Sequence, residues 1–160
     1  MNDTADFVIV GGGVQGASLA FHLASTGAGS VILLEQHTLA SGPTGRSGAM
    51  IRPLFTERVY IELVTAATAM FEEWDVIVGG DAGYRQPGFV RIVSEWTDDQ
   101  IGADLDFLKQ LGVRHERISQ SELAQYVPLG TCHDGEQGLF LPDGGFADPV
   151  WTTRTLARAA

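Results

Sequence analysis

Residues 7–16 read Phe-Val-Ile-Val-Gly-Gly-Gly-Val-Gln-Gly. Four apolar residues run into glycines in the register G-x-G-x-x-G (Gly11, Gly13, Gly16), and a helical pattern follows. No other stretch restricts the fold as strongly, because each glycine answers a separate steric demand. Gly11 lets a strand turn sharply into a helix. Gly13 leaves the main chain bare, so that a phosphate can approach it. Gly16 lets the helix lie close on the strand it has just left. The helical pattern carries Ala17, Ala20, Leu23 and Ala24 at 3.6-residue spacing and stops at Gly27 and Gly29. Val31-Ile32-Leu33-Leu34 then reads as a second buried parallel strand, ending on Glu35. Strand, glycine turn, helix, strand and terminal acid are the parts of one βαβ unit. In such a unit the free N–H groups and the positive end of the helix dipole face the diphosphate of a dinucleotide. The acid accepts hydrogen bonds from the adenosine ribose. The charge of Glu35 would repel a 2′-phosphate, which disfavours NADP and leaves NAD or FAD.

Composition narrows the partners. The 160 residues carry 10 Lys+Arg against 20 Asp+Glu, a formal charge of -10, which argues against nucleic acid and against anionic membrane surfaces. No apolar run approaches the roughly 20 residues of a membrane-spanning helix. The short acidic start, residues 1–6, does not read as a signal peptide. Cys132 is the sole cysteine, so no internal disulfide forms, and a reducing, cytoplasmic location is expected. It reads as a loop residue rather than a nucleophile. The four histidines (His22, His37, His115, His133) show no metal-ligand spacing, so no metal is expected.

A second loop follows Glu35. Residues 40–49, Ala-Ser-Gly-Pro-Thr-Gly-Arg-Ser-Gly-Ala, crowd small residues and hydroxyls together. An NAD-binding domain has no need of such a loop and would continue in regular βα units. A flavin dinucleotide must be gripped beyond its adenosine half, and this loop is placed in sequence to do so.

With the fingerprint through Glu35, the Ser41–Gly48 block and the later Asp143-Gly144-Gly145-Phe146-Ala147-Asp148-Pro149 segment, the chain resembles the D-amino-acid-oxidase-like family of FAD oxidoreductases. Sarcosine oxidase, glycine oxidase and dimethylglycine dehydrogenase belong to that family. The resemblance covers nearly the whole chain. It implies an α/β fold: a Rossmann-like FAD-binding βαβ unit with the start of an inserted α+β substrate domain. It implies FAD at Gly11, Gly13, Val14, Gln15, Gly16, Glu35 and Gln36. It further implies contacts from Ser41, Gly45, Arg46, Ser47, Gly48, Ala49 and Met50, with Arg46 near the diphosphate and the 48–50 backbone along the flavin ring. Some relatives attach flavin through a histidine in the second loop; none occurs here between His37 and His115, so noncovalent FAD is expected. Members of the family run to more than twice this length. The chain is therefore expected to be an N-terminal part, truncated or completed by a second polypeptide.

The expected division places residues 1–52 and 143–160 in an incomplete FAD-binding domain and 53–142 in the first part of a substrate domain. Within the latter, Glu57 to Val78 carries Val59, Leu63, Ala66, Ala67, Met70, Phe71 and Trp74 at helical spacing and reads as one core-facing helix broken by Gly79-Gly80. Residues 89–93 and 138–141 read as strands. Thr97-Asp98-Asp99-Gln100 resembles a capping box, ahead of a helix bearing Ile101, Leu105, Leu108 and Leu111; residues 119–126 read as a short helix.

The chemistry implied is oxidation of the C–N bond of a small amino acid or N-methylated amine by hydride transfer to flavin. A carboxylated substrate calls for a bidentate arginine, and Arg52, just past the second loop, is the candidate, with a salt-bridge or phosphate-binding role as its alternative. Two rival readings are a noncatalytic FAD-binding subunit that needs a second polypeptide and, less favoured, an NAD-dependent dehydrogenase.

Overall fold

A computed structural model describes residues 4–55, 57–94, 105–127 and 133–160. The chain divides into two compact units. One comprises Met1–Met50, Ala69–Arg85 and Phe146–Ala160; the other comprises Ile51–Thr68 and Gln86–Gly145.

The first unit is built on β1 (Phe7–Val10), α1 (Val14–Ser25) and β2 (Val31–Leu34). The strands are parallel, with Phe7 opposite Val31 and Val10 opposite Leu34. This is the βαβ arrangement that the glycine register demands. Gly16 shows why the register holds: a Cβ there would lie 2.0 Å from the Gly11 carbonyl oxygen. Ala17, Phe21, Trp74, Ala82 and Leu156 form the core of the unit, with Met70 and Phe71 packed against it. Phe71 stacks on Trp74 at 4.9 Å, and the indole N–H of Trp74 donates to Thr155 Oγ1 at 3.2 Å.

β1 and β2 are less buried than expected for strands of this composition. Ile9 is buried, but Val8 is 57% exposed, Val10 83% and Leu34 51%. A parallel sheet buries both faces only when each is covered. Here the sheet has two strands, and Gly16 of α1 approaches Ile9, leaving the alternate side chains of β1 to solvent.

The last helix is set by its cap. Asp148 Oδ1 accepts from the N–H groups of Val150 and Trp151, both at 2.8 Å, and Pro149 occupies the first helical position. Asp148→Ala is expected to cost about 1 kcal/mol. Urea unfolding checks this; a variant as stable as the wild type would show that the cap carries no weight.

The second unit holds an antiparallel three-stranded sheet in the order β4-β6-β5. Its strands are β4 (Phe89–Val93), β5 (Glu116–Ile118) and β6 (Gln137–Leu141). Ile61, Leu108, Val113, Leu139 and Leu141 form its core. Residues 105–110 are helical, and α4 (Gln120–Tyr126) starts where the Ser119 N–H donates to Glu122 Oε2 at 2.9 Å. Arg114 and Asp143 form an ion pair. Two further short strands, β3 (Met50–Ile51) and β7 (Gly145–Phe146), pair with each other. The helix that closes the chain, α5, spans Pro149–Ala159.

The single helix expected over 57–78 is two: α2 (Arg58–Glu72) and the short α3 (Trp74–Ile77), separated at Glu73. Its apolar face is also reassigned. Ile61 and Thr68 are buried, whereas Val59 and Leu63 are 55% and 61% exposed. The reason lies in the division of the chain. The start of α2 packs into the core of the second unit through Ile61, while Met70 and Phe71 near its end pack into that of the first, so no single stripe serves the whole length. The capping-box reading at 97–100, Ile101 and Cys132 lie outside the described residues. No helix among the described residues is long and apolar enough to cross a membrane.

Candidate functional site

The first unit brings its expected site residues together where β1 and β2 end and α1 begins. Gly11 turns the chain at φ +108°, in the left-handed region that glycine tolerates, and its N–H donates to the Leu34 carbonyl at 2.8 Å. Gly13 is the N-cap of α1, and no side chain caps the helix from that position. The first intrahelical bond runs from Ala17 N–H to the Gly13 carbonyl. Among the described residues, the N–H groups of Gly13, Gln15 and Gly16 meet no protein acceptor. These are the orphan donors of a helix start, with the positive end of the dipole behind them. They fit an anionic group such as a diphosphate.

Glu35 stands at the end of β2, half-buried. One carboxylate oxygen accepts from Gly12 N–H at 2.7 Å and the other from His37 N–H at 2.8 Å. The His37 amide, then that of Gly12, holds its pKa below the ordinary glutamate value of 4.5. A carboxylate has about four lone-pair positions. Two are used here, and two remain for a diol such as the adenosine ribose. Gln36 follows on the exposed side.

The middle glycine of the three was assigned no task from the sequence, yet it has one. A Cβ on Gly12 would lie 2.7 Å from Leu39 and 2.9 Å from Glu35, and its N–H is one of the two that pin the acid. Three consecutive glycines were the available signal.

The second loop is ordered by its own main chain. Ala40 N–H donates to the Gly12 carbonyl and Gly45 N–H to the Ala40 carbonyl, both at 2.9 Å. Ala40 and Ala49 both take positive φ, 63° and 43°. Residues Thr44–Arg46 form a 3₁₀ turn. The Arg46 guanidinium reaches back to the Ser41 carbonyl at 3.4 Å, and Ser47 Oγ accepts from Ala49 N–H at 2.9 Å. Gly48 and Met50 are exposed. The loop meets the start of α1 through Thr44, whose Oγ1 accepts from Val14 N–H at 3.1 Å. Thr44 was not singled out from the sequence. It was one hydroxyl among several, and only the tertiary contact distinguishes it.

Arg52 belongs to the second unit. Its guanidinium lies 5.2 Å from the ring centroid of Phe89 and 5.9 Å from that of Phe55. Among the described residues no carboxylate lies within ion-pair distance of it. A cation seated on aromatic rings keeps its edge N–H donors for a planar anion. No cluster of metal-binding side chains occurs among the described residues.

The sequence profile of the family described as "FAD dependent oxidoreductase" matches residues 6–160. Human mitochondrial sarcosine dehydrogenase is 31% identical over 159 residues, covering 98% of this chain and 17% of that protein. The formaldehyde-forming 4-methylaminobutanoate oxidase of Paenarthrobacter nicotinovorans is 27% identical over 154 residues, covering 96% of this chain and 19% of that one. Among solved structures, L-proline dehydrogenase from P. horikoshii superposes with a TM-score of 0.85 at 23% identity, covering 99% of this chain and 42% of the other, and thus shares the fold. The chain spans about a fifth of the length of these curated relatives.

Proposed function

We propose, from the premise that this chain belongs to the family of FAD-dependent oxidoreductases, that it supplies the FAD-binding part of an enzyme oxidising the C–N bond of a small amino acid or N-methylated amine. The observation that carries the reading is the pairing of bare amides at the start of α1 with the pinned Glu35 carboxylate across one βαβ unit. Gly13, Gln15 and Gly16 hold the diphosphate, and Glu35 holds the ribose. The loop through Ser41, Gly45, Arg46, Ser47, Gly48, Ala49 and Met50 lies along the flavin half, without a covalent bond. FAD held there would supply the acceptor for the hydride lost from the carbon next to the amine nitrogen. Arg52 orients a carboxylated substrate through its N–H edge. No acid or base of this chain is assigned to the reaction, because an amine can lose its proton to solvent first.

In domain terms, residues 1–52 and 143–160 form the cofactor domain and 53–142 the start of a substrate domain. The bounds of the two compact units support this reading in outline, except that Ala69–Arg85 packs with the cofactor side and Ile51, Arg52 and residues 143–145 with the other. The named relatives are about five times longer, which supports a second polypeptide or further chain as the source of the remaining active-site groups. The lone cysteine supports a reducing location such as the cytoplasm.

The purified chain mixed with FAD and examined by visible spectroscopy tests the proposal. Bound flavin that bleaches on adding sarcosine or another N-methyl amine supports a self-sufficient oxidase. Bound flavin that bleaches only with another polypeptide present supports the split arrangement. No flavin uptake in either case would sink both.

A further inference from the structure

Resting on the carboxylate role proposed for Arg52, we infer that Phe89 is a positioning residue: its ring face seats the Arg52 guanidinium, and selection of a carboxylated amine over one lacking the carboxylate depends on that seat. Arginine has a long, flexible stem. A free guanidinium spreads over many rotamers, which a ligand must freeze on binding. Among the described residues, no carboxylate holds this guanidinium in an ion pair. Two rings face it instead, with centroids at 5.9 Å for Phe55 and 5.2 Å for Phe89. Both lie within the roughly 6 Å reach of cation–π attraction. The two rings are not equivalent. Phe55 is a near neighbour in sequence, is 40% exposed and leans on the exposed Tyr60 ring. Phe89 comes from β4 and packs against the core formed by Ile61, Leu139 and Leu141. It is the wall of the seat that the fold fixes.

The turn through Asp143 and Gly144 holds that wall in place. Phe89 stands opposite Leu141 of β6, and the chain beyond β6 folds back on it. Gly144 N–H donates to the Leu141 carbonyl at 3.1 Å, and Gly88 N–H donates to the Gly144 carbonyl at 3.0 Å. A Cβ on Gly144 would lie 2.5 Å from the Cβ of Phe89 and 3.1 Å from its nitrogen. Only a glycine lets the turn close this tightly on residue 89. Asp143 anchors the same turn through its ion pair with Arg114. The ring face is thereby given to the cation, and the N–H edge of the guanidinium is left for a planar carboxylate. A leucine at this position keeps the apolar contact and removes the ring quadrupole; a tyrosine keeps both.

NMR titration of the 160-residue chain, isotope-labelled in arginine, tests the inference. The probes are sarcosine and dimethylamine, its counterpart without the carboxylate. The proteins are the wild type, Phe89→Leu and Phe89→Tyr; Phe89→Met replaces Phe89→Leu if the latter fails to melt cooperatively. The wild-type Arg52 Nε–H signal is expected to respond to sarcosine and not to dimethylamine. In Phe89→Leu that signal loses its ring-current shift in the free protein, and sarcosine binds about fivefold more weakly. Phe89→Tyr restores both. Wild-type sarcosine affinity in Phe89→Leu overturns the inference and leaves Arg52 in its role. So does an equal loss in Phe89→Leu and Phe89→Tyr, which marks a response to packing rather than to the ring. A wild-type Arg52 signal that does not respond to sarcosine overturns the carboxylate role of Arg52 itself, and this inference with it.

Discussion

Gly16→Val should separate α1 from β1 and abolish FAD binding. The Cβ of any residue at this position would stand 2.0 Å from the Gly11 carbonyl oxygen, 3.2 Å from its carbonyl carbon and 3.4 Å from Ile9 Cγ2. The two nearest atoms are main chain, so no rotamer change relieves the overlap; the helix must move off the strand. Overpacking against side chains costs typically 1–3 kcal/mol, and a main-chain obstacle places this variant at about 3 kcal/mol or more. Against a total stability of about 5–15 kcal/mol that is a large loss. The same movement carries the Gly13, Gln15 and Gly16 amides away from the diphosphate position. Urea unfolding and FAD titration measure both effects. Gly42→Ala is the control, since nothing lies within 4 Å of a Cβ there. A Gly16→Val protein with wild-type stability and FAD affinity would refute the close packing.

Glu35→Gln is expected to weaken FAD roughly 10- to 100-fold. The carboxylate presents an oxygen to each of two N–H donors, from Gly12 and His37. An amide has one oxygen and one NH₂ group, so one donor is left facing another donor, and an acceptor for the ribose is lost. Adenosine and ADP should weaken together. The effect has a defined pH range. The two amides hold the folded-state pKa of Glu35 below 4.5. A group with a depressed folded pKa contributes fully above its unfolded value and loses that contribution as pH falls through the folded value. The ratio of wild-type to variant affinity should therefore stay constant from about pH 7 down to 4.5 and narrow only below that. A ratio that already narrows above 4.5 would show that the amides do not hold the acid in solution.

Much of the first unit was legible residue by residue. Gly11, Gly13 and Gly16 announce a strand, a turn and a close-packed helix because their constraints involve atoms a few residues away, and Glu35 marks the end of β2 for the same reason. Asp148 ahead of Pro149 likewise marks a helix start. Less was legible in the middle. The apolar spacing of 57–78 allowed one continuous core-facing helix. The chain instead breaks at Glu73, and Ile61 rather than Val59 or Leu63 is buried, because the partners of each turn come from residues far along the sequence. The apolar run of β1 promised burial on both faces; how much of it is covered depends on which elements lie over the sheet.

The sequence by itself determined that a βαβ unit with an anion-ready helix start and a terminal acid forms here, since short-range sterics and helix polarity are written in neighbouring residues. Only the tertiary structure decided that Gly12 pins Glu35, that Thr44 Oγ1 accepts from the Val14 N–H, and that Arg52 rests on Phe89 and Phe55. Each of those is a meeting of residues more than 20 positions apart or of a side chain with one ring among several. Such meetings are chosen by the packing of the chain as a whole, which local pattern does not encode.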